Sequence, residues 1–222
     1  MKRKGTSAQN KYHHGDLKKA ILNGGLEMVA ESGLDNLSLR EVARRIGVTT
    51  AAPYYHFKDR QSLLIELAIQ GYGELFEAVR RAREAASDPE NEVSATATAY
   101  LRFGREHRAL YAIMFSGEFT THARLQDMVS IANRSLELVR QSIAATGKLS
   151  KAQSTAAAFC AWSLVHGILT LNQNGVLGES IEEQERLALA GVIAIIRGMS
   201  AGFSRPRQQA SPAVRKPRPQ RL

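Results

Sequence analysis

Apolar residues recur along this chain at intervals of three and four, and no stretch shows sustained period-two alternation. The pattern therefore predicts helices throughout, an all-α chain without a sheet. Leu17, Ala20, Ile21, Gly24 and Met28 mark the inner face of a first helix that Gly33 ends. Leu39, Val42, Ala43 and Ile46 give a second helix two turns long, started by the S-x-x-E capping box of Ser38 and Glu41 and stopped by Gly47. Val48 fits a buried turn. Thr49 or Thr50 can cap a short seven-residue helix, with Pro53 near its first turn. Asp59 can cap the next helix, which is long and apolar along Leu63, Leu64, Leu67, Ala68, Tyr72, Leu75, Phe76 and Val79. Gly71 and Gly73 lie inside it, either to let it bend or to let another helix approach. Asp88 and Pro89 mark a break and restart, and an Ala/Thr-rich helix then runs to Phe103. A short helix at HRALYAIMF follows, then helices over about 120–145, 150–172 and 181–200.

Helix, glycine turn and short helix over Ser38–Arg60 form a helix-turn-helix pattern, whose second helix enters the DNA major groove. Charge sharpens this reading. The net charge is +9, which favours a polyanionic partner. Residues 1–60 carry eleven Lys and Arg against six Asp and Glu, residues 204–222 carry six basic residues and no acidic one, and the middle is nearly neutral. A nucleic-acid surface at the N-terminal end with a neutral core domain behind it fits that distribution. Residues 1–11 read as a basic flexible arm, either lying along DNA or acting as a solubilising tail. Residues 204–222, with four prolines and no apolar cluster, read as a basic disordered tail.

Other chemistry finds little support. The G-x-S-x-G, H-E-x-x-H and P-loop patterns and a clustered carboxylate set are all missing from the sequence, so no enzyme and no cofactor are expected. Glu118 and His122 stand alone and are expected at the surface. Neighbouring His13 and His14 point about 100° apart with no third ligand close by, so phosphate contact or packing is expected of them rather than metal binding. The single cysteine, Cys160, cannot close an intramolecular disulfide, fits a reducing cytoplasm and reads as a buried structural thiol. No apolar segment follows the basic N-terminus, and no apolar run reaches the roughly 18 residues of a membrane span, so neither a signal peptide nor membrane contact is expected.

A helix ending in A-x-x-x-G-V-T, followed by P-Y-Y-H-F-K-D-R and L-L, resembles the DNA-binding domain of the TetR family of transcriptional regulators over roughly Tyr12–Ala68. The resemblance implies a helix-turn-helix domain at 12–60, a connecting helix at 61–86 and a helical ligand-binding and dimerisation domain at 87–203. Arg40 is the expected base reader, because its fork suits guanine O6 and N7. Thr50 can bond a base or phosphate, and Ala51 can touch a thymine methyl. By resemblance Tyr54 and His56 contact phosphate or sugar, with Tyr55 between them. Thr49 and Arg60 are expected to grip phosphate from helix N-termini, and Lys58 is a weaker phosphate candidate. Phe57 is expected in the core.

Ala161-Trp-Ser-Leu-Val-His-Gly resembles a class of TetR-type C-terminal domains named for the Trp, His and Gly, and YLRFGREHRALYAIMF upstream resembles the same class. Trp162 and His166, one helical turn apart, are either a pocket wall or core. Tyr100, Phe103, Phe115, Trp162 and His166 are the pocket candidates. Phe159, Trp162, Val165 and Leu169 on one helix, with Leu187, Leu189, Val192, Ile193 and Ile196 on the next, are shared between the subunit core and a homodimer interface. The expected function is a sequence-specific transcriptional regulator, a repressor released from a palindromic operator on double-stranded DNA by a small molecule. The alternatives are non-specific DNA packaging, or regulation without an effector.

Overall fold

The computed structural model describes residues 14–201 apart from 120 and 179, and side chains from Leu17 onward. Both basic termini, and the side chains of His13 and His14, thus lie outside the described residues. All regular structure among the described residues is helical. The helices are α1 (His14–Ser32), α2 (Leu39–Arg45), α3 (Arg60–Glu84), α4 (Pro89–Glu106), α5 (Arg108–Met114), α6 (Leu125–Ala145), α7 (Lys151–Gln173) and α8 (Ile181–Ser200). Single 3-10 turns at Leu34–Asn36 and Ala52–Tyr55 complete the set.

The expected punctuation is realised at most junctions. Ser38, Asp59, Asp88, Ser150 and Ser180 each accept a backbone N–H from the first turn of the helix they precede. Gly33 and Gly47 take the left-handed conformation, with φ of 83° and 73°. Two expectations change. The helix foreseen from about residue 120 begins at Leu125. The short helix after Gly47 is a four-residue 3-10 turn without a side-chain cap, so neither Thr49 nor Thr50 plays the capping role.

A continuous apolar core runs from Ile21 to Ile196 and passes through both halves of the molecule. Helix α3 is its spine. Its first turns pack with Val42, Leu37 and Phe57 in the small N-terminal bundle, and its later turns pack against α4, α5 and α6. Gly71 is where α5 crosses it: a Cβ there would stand 2.6 Å from Met114 Sδ and 2.9 Å from Leu110 Cγ. At Gly73 a Cβ would meet nothing within 4 Å. Close approach therefore explains Gly71 and leaves Gly73 unexplained.

Helix α7 departs from expectation twice. Cys160 is exposed rather than buried. The helix is also long and apolar enough, by length and composition, to cross a bilayer, although no uninterrupted apolar run foretells it. Its inner face, including Ala157, Ala161, Val165 and Leu169, packs in the core. Its outer face carries Ala156, Cys160, Ser163 and Gly167 at helical spacing.

Candidate functional site

The N-terminal bundle presents a contiguous exposed surface. Thr49, Thr50 and Ala51 are exposed on the turn after Gly47, and Tyr54 and Tyr55 follow on the 3-10 turn. Tyr55 is the most exposed large hydrophobic side chain there, at 84%. Its position between two expected DNA-touching residues is thus the outermost of the three. His56 is half-buried and inclined against Phe57, with ring centroids 6.5 Å apart, while Phe57 itself is in the core as expected.

The cations of this module divide by their partners. Arg44 pairs with Glu41, and Arg45 with Glu27 and Glu31. Arg40 and Lys58 are exposed and form no ion pair with any described residue. An exposed guanidinium without an ion-pair partner is available to an external anion or base edge, whereas Arg45 is held by its own module.

Arg60 is the clear departure. Its guanidinium forms a bidentate pair with Glu118, the second bond being 3.1 Å from Nη2 to Oε1. It also donates to the carbonyls of Leu37 (3.1 Å) and Leu34 (2.8 Å). Gln61 Nε2 adds a bond to the Glu118 carbonyl at 3.2 Å. Arg60 thus ties the N-terminal bundle to the loop after α5, and its fork is turned away from the phosphate role expected of it. Glu118, expected to stand alone at the surface, is the other half of this tie. A second tie runs through Glu66 on α3, which bonds Lys18 of α1 at 2.6 Å and Arg124 just before α6. Burial opposes ionisation of Glu66, but Lys18 and Arg124 together outweigh it and hold the carboxyl below its ordinary range.

Behind this junction lies a cavity of about 150 Å³. Helix α3 contributes Tyr72, Leu75 and Val79; α4 contributes Val93, Thr96, Ala97 and Tyr100. Phe115 and the α6 residues Ala132, Asn133, Ser135, Leu136 and Val139 form another wall. The α7 residues Phe159, Ala161, Trp162 and Val165 complete it with Val192 of α8. Of the five expected pocket residues, Tyr100, Phe115 and Trp162 line this space. His166 stands directly behind them, 4.4 Å from Phe115 and 5.9 Å from Trp162 between ring centroids. Phe103 does not line it: it faces the other side of α4, stacked on His107 at 4.8 Å.

A buried relay fixes the aromatic wall. Tyr100 and Tyr111 hydroxyls are 2.9 Å apart, and the Tyr111 hydroxyl lies 2.5 Å from His166 Nδ1. Burial pushes both phenols above their ordinary values and pulls His166 below its own. The consistent arrangement is Tyr111 donating to an unprotonated Nδ1, which leaves the proton on Nε2, 3.5 Å from Thr170 Oγ1. The histidine is therefore both things the sequence left open, a core residue with a satisfied hydrogen bond and the support of a pocket wall.

Sequence reasoning missed Tyr72, Thr96, Asn133 and Ser135. The signal for Ser135 was present: Met128, Ala132, Ser135, Val139 and Ser142 follow one inward stripe of α6, so a serine falls where apolar periodicity demands an inward residue.

Comparison with known proteins agrees with this architecture. Residues 21–67 match the family profile described as bacterial regulatory proteins, tetR family, and residues 93–207 match that of the tetracyclin repressor-like C-terminal domain. A solved structure of a protein of unknown function from Rhodococcus sp. RHA1 is 34% identical, covering 86% of this chain and 98% of that one, with a TM-score of 0.73. The TetR family regulator PfmR from Thermus thermophilus is 19% identical, covering 80% of this chain and 97% of that one, and shares the fold with a TM-score of 0.64. Among curated relatives, the class D tetracycline repressor of Escherichia coli is 30% identical over 53 residues, 24% of each chain. The HTH-type transcriptional regulator Rv1816 of Mycobacterium tuberculosis is 27% identical over 132 residues, 58% of this chain and 56% of that one. The match thus spans about a quarter of the repressor's length and just over half of the mycobacterial regulator's.

Proposed function

Since this chain belongs to the TetR family of DNA-binding transcriptional regulators, we propose that it acts as a dimeric repressor, released from a palindromic operator when a small molecule enters the cavity between α3, α4, α6 and α7. The observation that carries this reading is the continuity of α3. One helix begins at Arg60, tied to the N-terminal bundle, and some three turns further on supplies Tyr72, Leu75 and Val79 to the cavity wall. A rigid helix with one end in each site transmits a displacement at one end to the other. Release then requires the small molecule to favour the state that fits DNA poorly, because equal affinity for both states shifts nothing.

Arg40, Thr50 and Ala51 are the proposed base-contacting residues, with Thr49, Tyr54, Tyr55, His56 and Lys58 around them on phosphate and sugar. Arg60 takes the positioning role described above. The exposed apolar residues of α7 and α8, Phe159, Trp162, Leu187 and Ile193, support pairing of these helices with those of a second copy. Val165, Leu169, Val192 and Ile196 are buried within the subunit and serve its own core instead. Two copies related by a two-fold axis would read two half-sites. Assignment of the C-terminal half to the class named for Trp, His and Gly rests on Trp162, His166 and Gly167, and a cytoplasmic location belongs to the same reading.

The test is selection of bound duplexes from a random pool, followed by titration of the selected complex with small molecules. A symmetric site whose affinity falls when the cavity fills supports the repressor. A symmetric site indifferent to every cavity ligand leaves a regulator without an effector, and no selected sequence leaves non-specific packaging.

A further inference from the structure

Buried hydroxyls of the helical serines and threonines follow one rule, and Ser135 breaks it. Thr96 Oγ1 donates to the Val93 carbonyl at 2.9 Å, Ser142 Oγ to Leu138 at 3.2 Å, and Ser154 Oγ to Ser150 at 3.0 Å. Each is turned back onto its own helix backbone, the usual solution for a hydroxyl in an apolar setting. Ser135 is also buried, 8% exposed, yet its Oγ finds no partner among the described residues. It lies on the cavity wall. A buried hydroxyl left without a hydrogen bond is costly and calls for an explanation.

The rest of the lining defines that group. Among the described residues, no Asp, Glu, Lys, Arg or His lines the cavity. A carboxylate, phosphate or ammonium entering it would lose its hydration with no opposite charge to replace it. Tyr72, Tyr100, Phe115 and Trp162 offer ring faces and edges. The volume, about 150 Å³, is that of cavities that take a benzene-sized body. Asn133 of α6 is the exposed polar residue of the lining.

We infer that the cavity takes an electrically neutral ligand whose buried part is a single-ring-sized apolar body carrying one oxygen, and that Ser135 Oγ is the hydrogen-bond partner of that oxygen. This deepens the ligand-responsive reading above and rests on it only for the consequence at DNA; binding itself is independent of that reading.

Trp162 is the only tryptophan of the chain and lines the cavity, so its fluorescence reports occupancy without DNA. The probes are cyclohexanemethanol, methylcyclohexane and cyclohexanecarboxylate, which share one ring and are transparent where indole is excited. The alcohol is expected to bind at least tenfold more tightly than the carboxylate. Ser135→Ala is expected to weaken the alcohol about three- to tenfold and to leave methylcyclohexane within twofold. Carboxylate binding equal to or tighter than the alcohol's overturns the neutral-ligand assignment. An alcohol affinity unchanged by Ser135→Ala overturns the role of Ser135, and no saturable response to any probe overturns the inference as a whole. DNA affinity measured in parallel separates the two readings: a probe that fills the cavity and never alters DNA binding contradicts the effector mechanism while leaving the ligand class standing.

Discussion

Arg60 and Lys58 stand two residues apart, and the structure gives them opposite parts. The sequence reading placed Arg60 on phosphate, with Lys58 as a weaker candidate. The geometry puts the Arg60 fork on Glu118 and two backbone carbonyls, and leaves Lys58 exposed with no ion-pair partner among the described residues. Salt-dependence of DNA affinity distinguishes them. Lys58→Ala is predicted to flatten the slope of log K against log salt by about 1, as expected when one fewer phosphate is neutralised. Arg60→Ala is predicted to leave the slope within experimental error while lowering thermal stability. A flattened slope for Arg60→Ala would restore it to the DNA surface. Arg40→Ala is predicted to relax one base position in each half-site at a cost of about 1–3 kcal/mol, measured as affinity for single-base operator variants. The partners of Arg60 could not be read in advance because Glu118 lies 58 residues away. A local motif carries no information on which distant loop folds against it.

At the scale of the element, α3 offers a paired comparison. Gly71→Ala places a methyl against Met114 and Leu110 and is predicted to destabilise by about 1–3 kcal/mol through overpacking of α5. Gly73→Ala, two residues on, meets nothing and is predicted to stabilise by up to about 1 kcal/mol through helix propensity alone. Chemical denaturation midpoints should shift in opposite directions; equal shifts would refute the distinction. The positions of both glycines were plain in the sequence, but only the crossing of α5 decides which one is needed. Helix boundaries were more legible. Ser38, Asp59, Asp88 and the glycines act through local hydrogen bonds and local φ, which residue type determines directly. The 3-10 turn at Ala52–Tyr55 was not legible, since a few residues of irregular helix have no periodicity to detect. The same limit explains Cys160 and Phe103: an α7 apolar on both faces, and an α4 flanked by two grooves, do not announce which face turns inward.

For the whole molecule, the Glu66 tie and a half-buried histidine link folding to pH. Glu66 is held below its ordinary carboxyl value, so the stability it contributes is present above about pH 4.5 and is lost as pH falls through its depressed folded value. His166 is held below its ordinary 6.5 by burial. The unfolded chain therefore takes up the proton first, and stability falls as pH drops below about 6.5. Both effects have the same sign, so thermal stability is predicted to decline steadily from pH 7 towards pH 4. His166→Gln is predicted to remove the upper part of that decline. Assembly has its own test. Leu187→Glu on the exposed face of α8 is predicted to raise the dimer dissociation constant at least about thirtyfold, read by sedimentation equilibrium, because a carboxylate would have to be buried between the copies.

Everything proposed for DNA turns on whether the turn at 49–55, together with Arg40, reads a symmetric operator as a pair of modules. In-vitro selection from a random duplex pool, followed by affinity for the winner against scrambled DNA at one fixed salt concentration, answers that without intermediaries. The expected winner is an inverted repeat bound at least ~10³-fold more tightly than scrambled duplex. Enrichment of no sequence, with equal affinity for all duplexes, would contradict the proposal.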